Sequence, residues 1–313
     1  MKVVALAGGV GAGKFLRGLV RVVPAGDVTV VVNTADDLDL HGLRICPDVD
    51  SVTYWLAGLA DRDRGWGRSG ETFRTLDEVR RLGGQAWFAL GDLDLATHLV
   101  RTHWLQEGAT LSEVTDRLRR AGGVGARLIP MSDDPVRTWI DGVSEDGDAV
   151  SLPFQVYWVG RGARDEVKAV RFEGAATARP APGVLEAIAA ADTVLLCPSN
   201  PVVSLSPILS VPGVRDAVAT RRPVGVTPIV GGAPVQGMAD RLMPVVGLEV
   251  SALGAARAYR DILGGWVIDE RDEALGPAIE EELRVRVAVT DTLMVDDDAA
   301  ERVARAALEV ATR

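Results

Sequence analysis

Short runs of β-branched and other apolar residues recur along the chain at Val3–Leu6, Val28–Val32, Val194–Leu196, Pro223–Val226 and Val285–Val289, each bounded by Gly, Pro, Asn or Asp. Helical patterns lie between several of them. That alternation predicts an α/β fold built on a doubly wound, mostly parallel, Rossmann-like sheet. Phe15–Val22 reads as a helix, and Gly183–Ala191 and Ala299–Ala311 are helical by both composition and period, with Pro182 standing where a helix start tolerates proline. Between the second strand and the later sheet, the stretch from Ser51 to about Arg120 is dominated by helical patterns: SVTYWLAGLA, ETFRTLDEVRRL, LATHLVRTHWLQ and LSEVTDRLRRA. It reads as a helical insertion beside the sheet. Gly122-Gly123, Gly125, the acidic turn Ser144–Asp148 and the charged Arg161–Glu166 are connections. No low-complexity linker, repeat or long charge block divides the chain, so residues 1–313 are expected to form a single α/β domain with a helical lobe at about 51–120.

The first apolar run breaks into the glycine-rich loop of Val3–Lys14, VVALAGGVGAGK. Gly8, Gly9, Gly11 and Gly13 carry no Cβ to obstruct close approach, and the amides of such a loop and the following helix start suit an anion, so a phosphate cradle ending at Lys14 is expected. Neither standard motif is complete. Gly8 and Gly13-Lys14 match P-loop spacing, but Phe15 stands where that motif places a magnesium-binding hydroxyl. Lys14 likewise occupies the third glycine position of a dinucleotide fingerprint.

Composition narrows the ligand. A 47% hydrophobic and 25% charged chain is an ordinary globular one, and its net charge of −10 disfavours nonspecific binding to nucleic acid or anionic membranes. An anion must therefore be held by local amides, a few basic side chains or a divalent metal. Cys46 and Cys197 are the only cysteines and lack CxxC or Cys/His spacing, which argues against a disulfide framework or a zinc site and fits a reducing compartment. With no secretory signal and no membrane-length apolar run, a cytoplasmic location is expected.

Five carboxylates follow the second strand within the segment Asn33–Asp50: Asp36, Asp37, Asp39, Asp48 and Asp50, with His41 and Arg44 among them. The C-terminal edge of a parallel sheet is where ligands bind, so these acids can face the glycine loop. Magnesium selects such hard oxygens and commonly takes one or two carboxylates together with substrate phosphates. The alternative is that Asp48 or Asp50 caps the helix beginning near Pro47, with the other acids solvated.

A second group is Gly91–His98, GDLDLATH, in which Asp92 or Asp94 could cap a helix presenting His98, as a general base or as a buried histidine with ordinary hydrogen bonds. Ser132-Asp133-Asp134-Pro135 reads as a loop bend. After Thr193–Leu196 comes Cys197-Pro198-Ser199-Asn200-Pro201, where Ser199 and Asn200 offer donors and acceptors to a ligand or merely shape a turn. No G-x-S-x-G elbow accompanies it, so a serine-hydrolase reading has little support.

Taken in order, AGGVGAGK, VVNTADD, HGLRICPDVD, RGWG, ALGDLDLATHL, MSDDPV, CPSNPVVS and the late DTLM resemble the 2-phospho-L-lactate transferase family, whose actinobacterial members are phosphoenolpyruvate transferases. The matches span residue 3 to about residue 294. The resemblance implies a step of coenzyme F-420 biosynthesis. The terminal ribityl hydroxyl of 7,8-didemethyl-8-hydroxy-5-deazariboflavin attacks the phosphate of a guanosine-diphosphate-activated three-carbon acid and releases GMP. It also implies Mg2+ as cofactor, held by acids within the Asp36-Asp37 and Asp48–Asp50 motifs, and places the deazaflavin-contacting aspartate at Asp50. Archaeal relatives carry a Lys before Leu-Gly-Asp as a further deazaflavin contact; this chain has Ala89 there, so any charge contributed by that Lys is absent. On the same likeness Gly9, Gly11, Gly13, Lys14, Ser199 and Asn200 are expected to bind substrate, with Asp50 a candidate base. The expected partners are the two small-molecule substrates, with a homodimer as the candidate assembly. A related family of sugar-nucleotide-binding regulators shares the glycine-rich start and supplies the non-enzyme alternative, against which the acid pair and GDLDLATH weigh.

Overall fold

In the computed structural model, which describes residues 1–312, Val3–Ala7 forms a fully buried strand (β1) within a seven-stranded sheet. The order across the sheet is Arg286–Thr290, Gly265–Asp269, Val224–Val226, Thr193–Leu196, β1, β2 (Val28–Val32) and Arg127–Pro130. Every neighbouring pair is parallel. The sheet is thus the expected doubly wound α/β type, and wholly rather than mostly parallel.

Alternation along β1 divides the core. Val4 and Leu6 join one apolar cluster, while Val3, Ala5 and Ala7 join another on the opposite face. Covering both faces lets a strand be apolar throughout, as VVALA is. Helix α1 (Gly9–Val22) buries Phe15, Leu16 and Leu19 in the second cluster. Its Gly18 lies so close to the C-terminal helix Asp297–Thr312 that a Cβ there would come within 2.1 Å of the Ala300 backbone.

From β1 the chain winds outward through β2 to Arg127–Pro130, then returns to the other side of β1 at Thr193–Leu196. Strand order therefore reverses between β1 and Thr193–Leu196. The loops leaving these two strands diverge there and open the crevice in which such sheets bind ligands. The segment between β2 and Arg127 carries four helices: α2 (Pro47–Ala57), α3 (Arg74–Arg81), α4 (Asp92–Gln106) and α5 (Leu111–Ala121). Thr110 and Glu113 start α5 with a reciprocal capping box.

The apolar runs do not reveal everything. Arg127–Pro130 and Gly265–Asp269 complete the central sheet although each has a charged end, and Arg137–Val143, Ala149–Pro153 and Glu166–Glu173 form a separate antiparallel sheet. The acidic turn Ser144–Asp148 is the hairpin joining its first two strands, closed by a Ser144 N–H to Asp148 carbonyl bond of 2.8 Å. No helix among the described residues is long and apolar enough to cross a membrane.

Candidate active site

The crevice holds a cavity of about 700 Å³ whose walls come from the glycine loop, the acids after β2, the helical lobe and the Pro198–Asn200 loop. Gly8, Gly9, Gly11 and Lys14 line it. Gly8 is extended and caps α1 with no side chain; the Gly9 amide favours the Asp48 carboxylate, and the remaining amides of the first turn lack helical partners and suit an anion. Gly9 takes a left-handed conformation (φ 72°) that glycine tolerates without cost. Gly11 is needed for another reason: a Cβ there would sit 2.4 Å from the Pro198 carbonyl. Gly13 does not reach the cavity. It packs inside α1 against Trp55, where a Cβ would meet the indole at 2.5 Å, so the expectation of a phosphate contact at Gly13 is corrected to a helix-packing role. Lys14 stands with its Nζ 5.7 Å from the centre of the Trp55 ring, and burial draws its pKa down.

The two switch-point loops are stitched together. Ser199 Oγ donates to the Gly8 carbonyl at 2.9 Å and accepts from the Gly8 amide at 3.3 Å. Asn200 Oδ1 accepts from the amides of Val202 and Val203. Both residues line the cavity, yet these side-chain oxygens already shape the loop.

The acids after β2 separate into two groups. Asn33 Nδ2 donates to Asp48 at 2.9 Å and to Asp36 at 3.3 Å, drawing these carboxylates together in the cavity wall. Burial, then the charges of Asp48 and Asp37, hold the Asp36 carboxyl well above the usual range, and its Oδ1 makes no aligned hydrogen bond. Burial pushes Asp48 up to about 6, although Asn33 and the Gly9 amide favour its charge. Asp37 lies outside the cavity lining and accepts a 3.0 Å bond from the Cys46 thiol. Burial raises Asp37 to about 7 against the charges of Arg101, Arg44 and Arg137.

Asp50 lines the cavity one helical step beyond, but both its oxygens are engaged by Arg101 of α4, through Nη1 at 3.0 Å and through Nη2. The pair is buried. Desolvation opposes the Arg101 charge, and Asp50 with its neighbours more than offsets this. Neither Asp48 nor Asp50 caps α2; both sit within its first turn behind Pro47. The four acids expected to bind metal thus do not converge: Asp36 and Asp48 adjoin each other, Asp37 faces a thiol, and Asp50 faces a guanidinium.

The sequence suggested Asp92 or Asp94 as the cap of α4, but neither caps it. Glu71 does so from outside, accepting from the amides of Leu93 at 2.8 Å and Asp94 at 2.7 Å. Asp94 instead accepts from Tyr54 Oη at 2.6 Å, and His98 lies beneath it, 1% exposed, with Nε2 3.5 Å from Asp94 Oδ1. Sequence reading overlooked Arg101, although Asp94, His98 and Arg101 form a polar stripe at helical spacing on α4 that could have flagged it. Apolar side chains complete the walls, among them Trp66, Phe88, Phe154 and Trp158, with Ala89 beside them. Thr292–Val295, overlapping the late DTLM motif, closes one side and is anchored by Thr292, whose amide and hydroxyl both donate to the buried Asp269. A wider groove of about 970 Å³ between Arg286–Thr290 and the C-terminal helix is lined by Arg and acidic side chains that pair with one another.

The family model for 2-phospho-L-lactate transferase CofD matches residues 3–311. A phosphoenolpyruvate transferase of Streptomyces griseus is 47% identical over 315 residues, covering 99% of this chain and 98% of that protein. A 2-phospho-L-lactate transferase of Methanosarcina barkeri is 42% identical over 298 residues, covering 95% and 94%. Among solved structures, a UPF0052-family protein of Bacillus halodurans superposes with a TM-score of 0.62 at 18% identity, covering 98% of both chains, which shows the fold alone. The family match across nearly the whole length, together with relatives of that identity, makes this chain a transferase of the 2-phospho-L-lactate transferase family.

Proposed function

We propose that the protein transfers a phospho-three-carbon-acid group from a guanosine-diphosphate-linked donor to the terminal hydroxyl of 7,8-didemethyl-8-hydroxy-5-deazariboflavin, releasing GMP, in coenzyme F-420 biosynthesis. The observation that carries this reading is one cavity holding three things a phosphoryl transfer between these partners needs. Uncapped helix amides and Lys14 can receive phosphates, a carboxylate pair can receive a cation, and aromatic walls can receive a planar heterocycle. Of the three candidate acids, phosphoenolpyruvyl takes precedence, because the Streptomyces relatives carry that name.

Magnesium fits the residues present. Asp36 Oδ1 is buried without an aligned partner, and Asp36 and Asp48 are drawn together while burial resists their charges. A divalent cation held there by Asp36 and Asp48 would neutralise both and offset the donor's phosphate charge. Catalysis then rests on positioning and charge complementarity more than on covalent chemistry. The α1 amides and Lys14 hold the donor's phosphates. The lobe's walls hold the acceptor so that its hydroxyl oxygen meets the phosphorus opposite the GMP leaving group; as the new P–O bond forms and the bond to GMP breaks, the hydroxyl proton passes to the departing GMP phosphate oxygen. Asp50 is occupied by Arg101 and orients the lobe in preference to taking the hydroxyl proton. Incubating the protein with deazariboflavin, Mg2+ and each of the three activated acids should give the phosphoenolpyruvyl adduct by mass spectrometry. No adduct from any of the three donors would refute the reading.

A further inference from the structure

His98 is buried on α4, belongs to the cavity wall, and has one ring nitrogen committed and one free. Its Nδ1 lies 3.0 Å from Arg101 Nη1. A guanidinium carries only donors, so Nδ1 must accept, and in the neutral ring the proton then resides on Nε2. This Nε2–H has no aligned acceptor among the described residues. Asp94 Oδ1, which accepts from Tyr54, lies 3.5 Å away, close enough for a charge contact but not aligned as a hydrogen-bond acceptor. A buried N–H left unpaired is costly, so such a group is kept where a ligand completes it.

We infer that His98 is a fixed hydrogen-bond donor to the bound acceptor, presenting Nε2–H to an oxygen or unprotonated ring nitrogen of the hydroxylated heterocycle. The inference rests on the proposed function for the identity of that ligand, while the tautomer rests on geometry alone. Asp50 holds Arg101 in place, and Arg101 holds the tautomer. The general-base role considered for His98 is then disfavoured. Its basic nitrogen faces Arg101, and the other, buried in a residue that forms the cavity wall, already bears a proton. His98 contributes affinity and orientation for the acceptor and moves no proton.

The first test is the ring-nitrogen NMR spectrum of the ligand-free protein, assigned by comparison with His98→Gln. The expected result is a neutral ring protonated at Nε2 only. A ring protonated at Nδ1, or at both nitrogens, near neutral pH overturns the inference whatever the substrate proves to be. The second test is calorimetric binding of deazariboflavin to the wild type, His98→Leu and His98→Gln, with GMP as the control ligand. His98→Leu should bind deazariboflavin about tenfold more weakly, His98→Gln, whose amide can donate from a similar place, should recover most of that loss, and GMP affinity should be unchanged in all three. Equal deazariboflavin affinity in the three proteins, or parallel loss of both ligands, overturns the donor role. If the wild type binds no deazariboflavin, the proposed function falls and the assigned ligand falls with it.

Discussion

Arg101 of α4 and Asp50 of α2 form a buried, two-pronged ion pair that fastens the helical lobe to the acids at the sheet edge. Breaking such a pair from one side is costly, because the survivor keeps its charge without compensation. Asp50→Asn should therefore lower stability by roughly 2–5 kcal/mol as well as depress transfer, and Arg101→Leu should do the same. Chemical denaturation of each variant checks this. An Asp50→Asn protein as stable as the wild type yet inactive would instead place Asp50 in the chemistry itself.

Gly11 and Gly13 both face close neighbours, but different ones. Gly11→Ala drives a methyl group into the Pro198 carbonyl, with no flexible side chain to yield, so stability should fall and both ligands should weaken together. Gly13→Ala meets Trp55 and should lower the melting temperature, with GMP affinity retained once the protein is folded. Melting curves paired with calorimetric titration separate the two outcomes. Selective loss of GMP affinity in a fully stable Gly13→Ala protein would return that residue to the phosphate site.

Asp37 supplies a pH signature. An unfolded aspartate releases its proton near pH 4, whereas burial holds Asp37 to about 7. Between those values the folded state binds the extra proton, so the stability tied to this group is complete below about pH 4 and is lost as pH rises through about 7. Asp37→Asn should gain on the wild type by roughly 1–3 kcal/mol between pH 5 and pH 8 when both are unfolded in chelator. An equal stability difference at the two pH values would contradict it.

The doubly wound sheet was legible because its inner strands are apolar at nearly every position, a pattern only two covered faces permit. Arg127–Pro130 escaped because an edge strand tolerates a charged end, and the antiparallel sheet at Arg137–Glu173 escaped because its half-exposed strands carry Trp139, Asp141, Arg171 and Glu173. The glycine loop and the acids could be placed at one sheet edge from chain order alone. Their division could not: whether an aspartate meets Asn33, Cys46 or Arg101 is decided by side chains that come together only when the lobe packs, and Arg101 lies 51 residues from its partner.

The Asp36 and Asp48 pair ties metal demand to pH. Protons and a divalent cation compete for the same oxygens, so the Mg2+ concentration giving half-maximal transfer should fall as pH rises through about 6, where Asp48 ionises. Asp36→Asn should raise that concentration at least about tenfold, and excess chelator should abolish transfer. A metal requirement independent of pH and of Asp36 would move the cation elsewhere.

If this cavity joins a guanosine-linked donor to a hydroxylated deazaflavin, GMP release depends on the acceptor. GMP release from guanosine-diphosphate-linked enolpyruvate, measured with and without deazariboflavin, tests this. GMP should form in proportion to acceptor consumed, only with Mg2+ present, and little should form without acceptor. GMP formed equally without acceptor, or none under any condition, would contradict it.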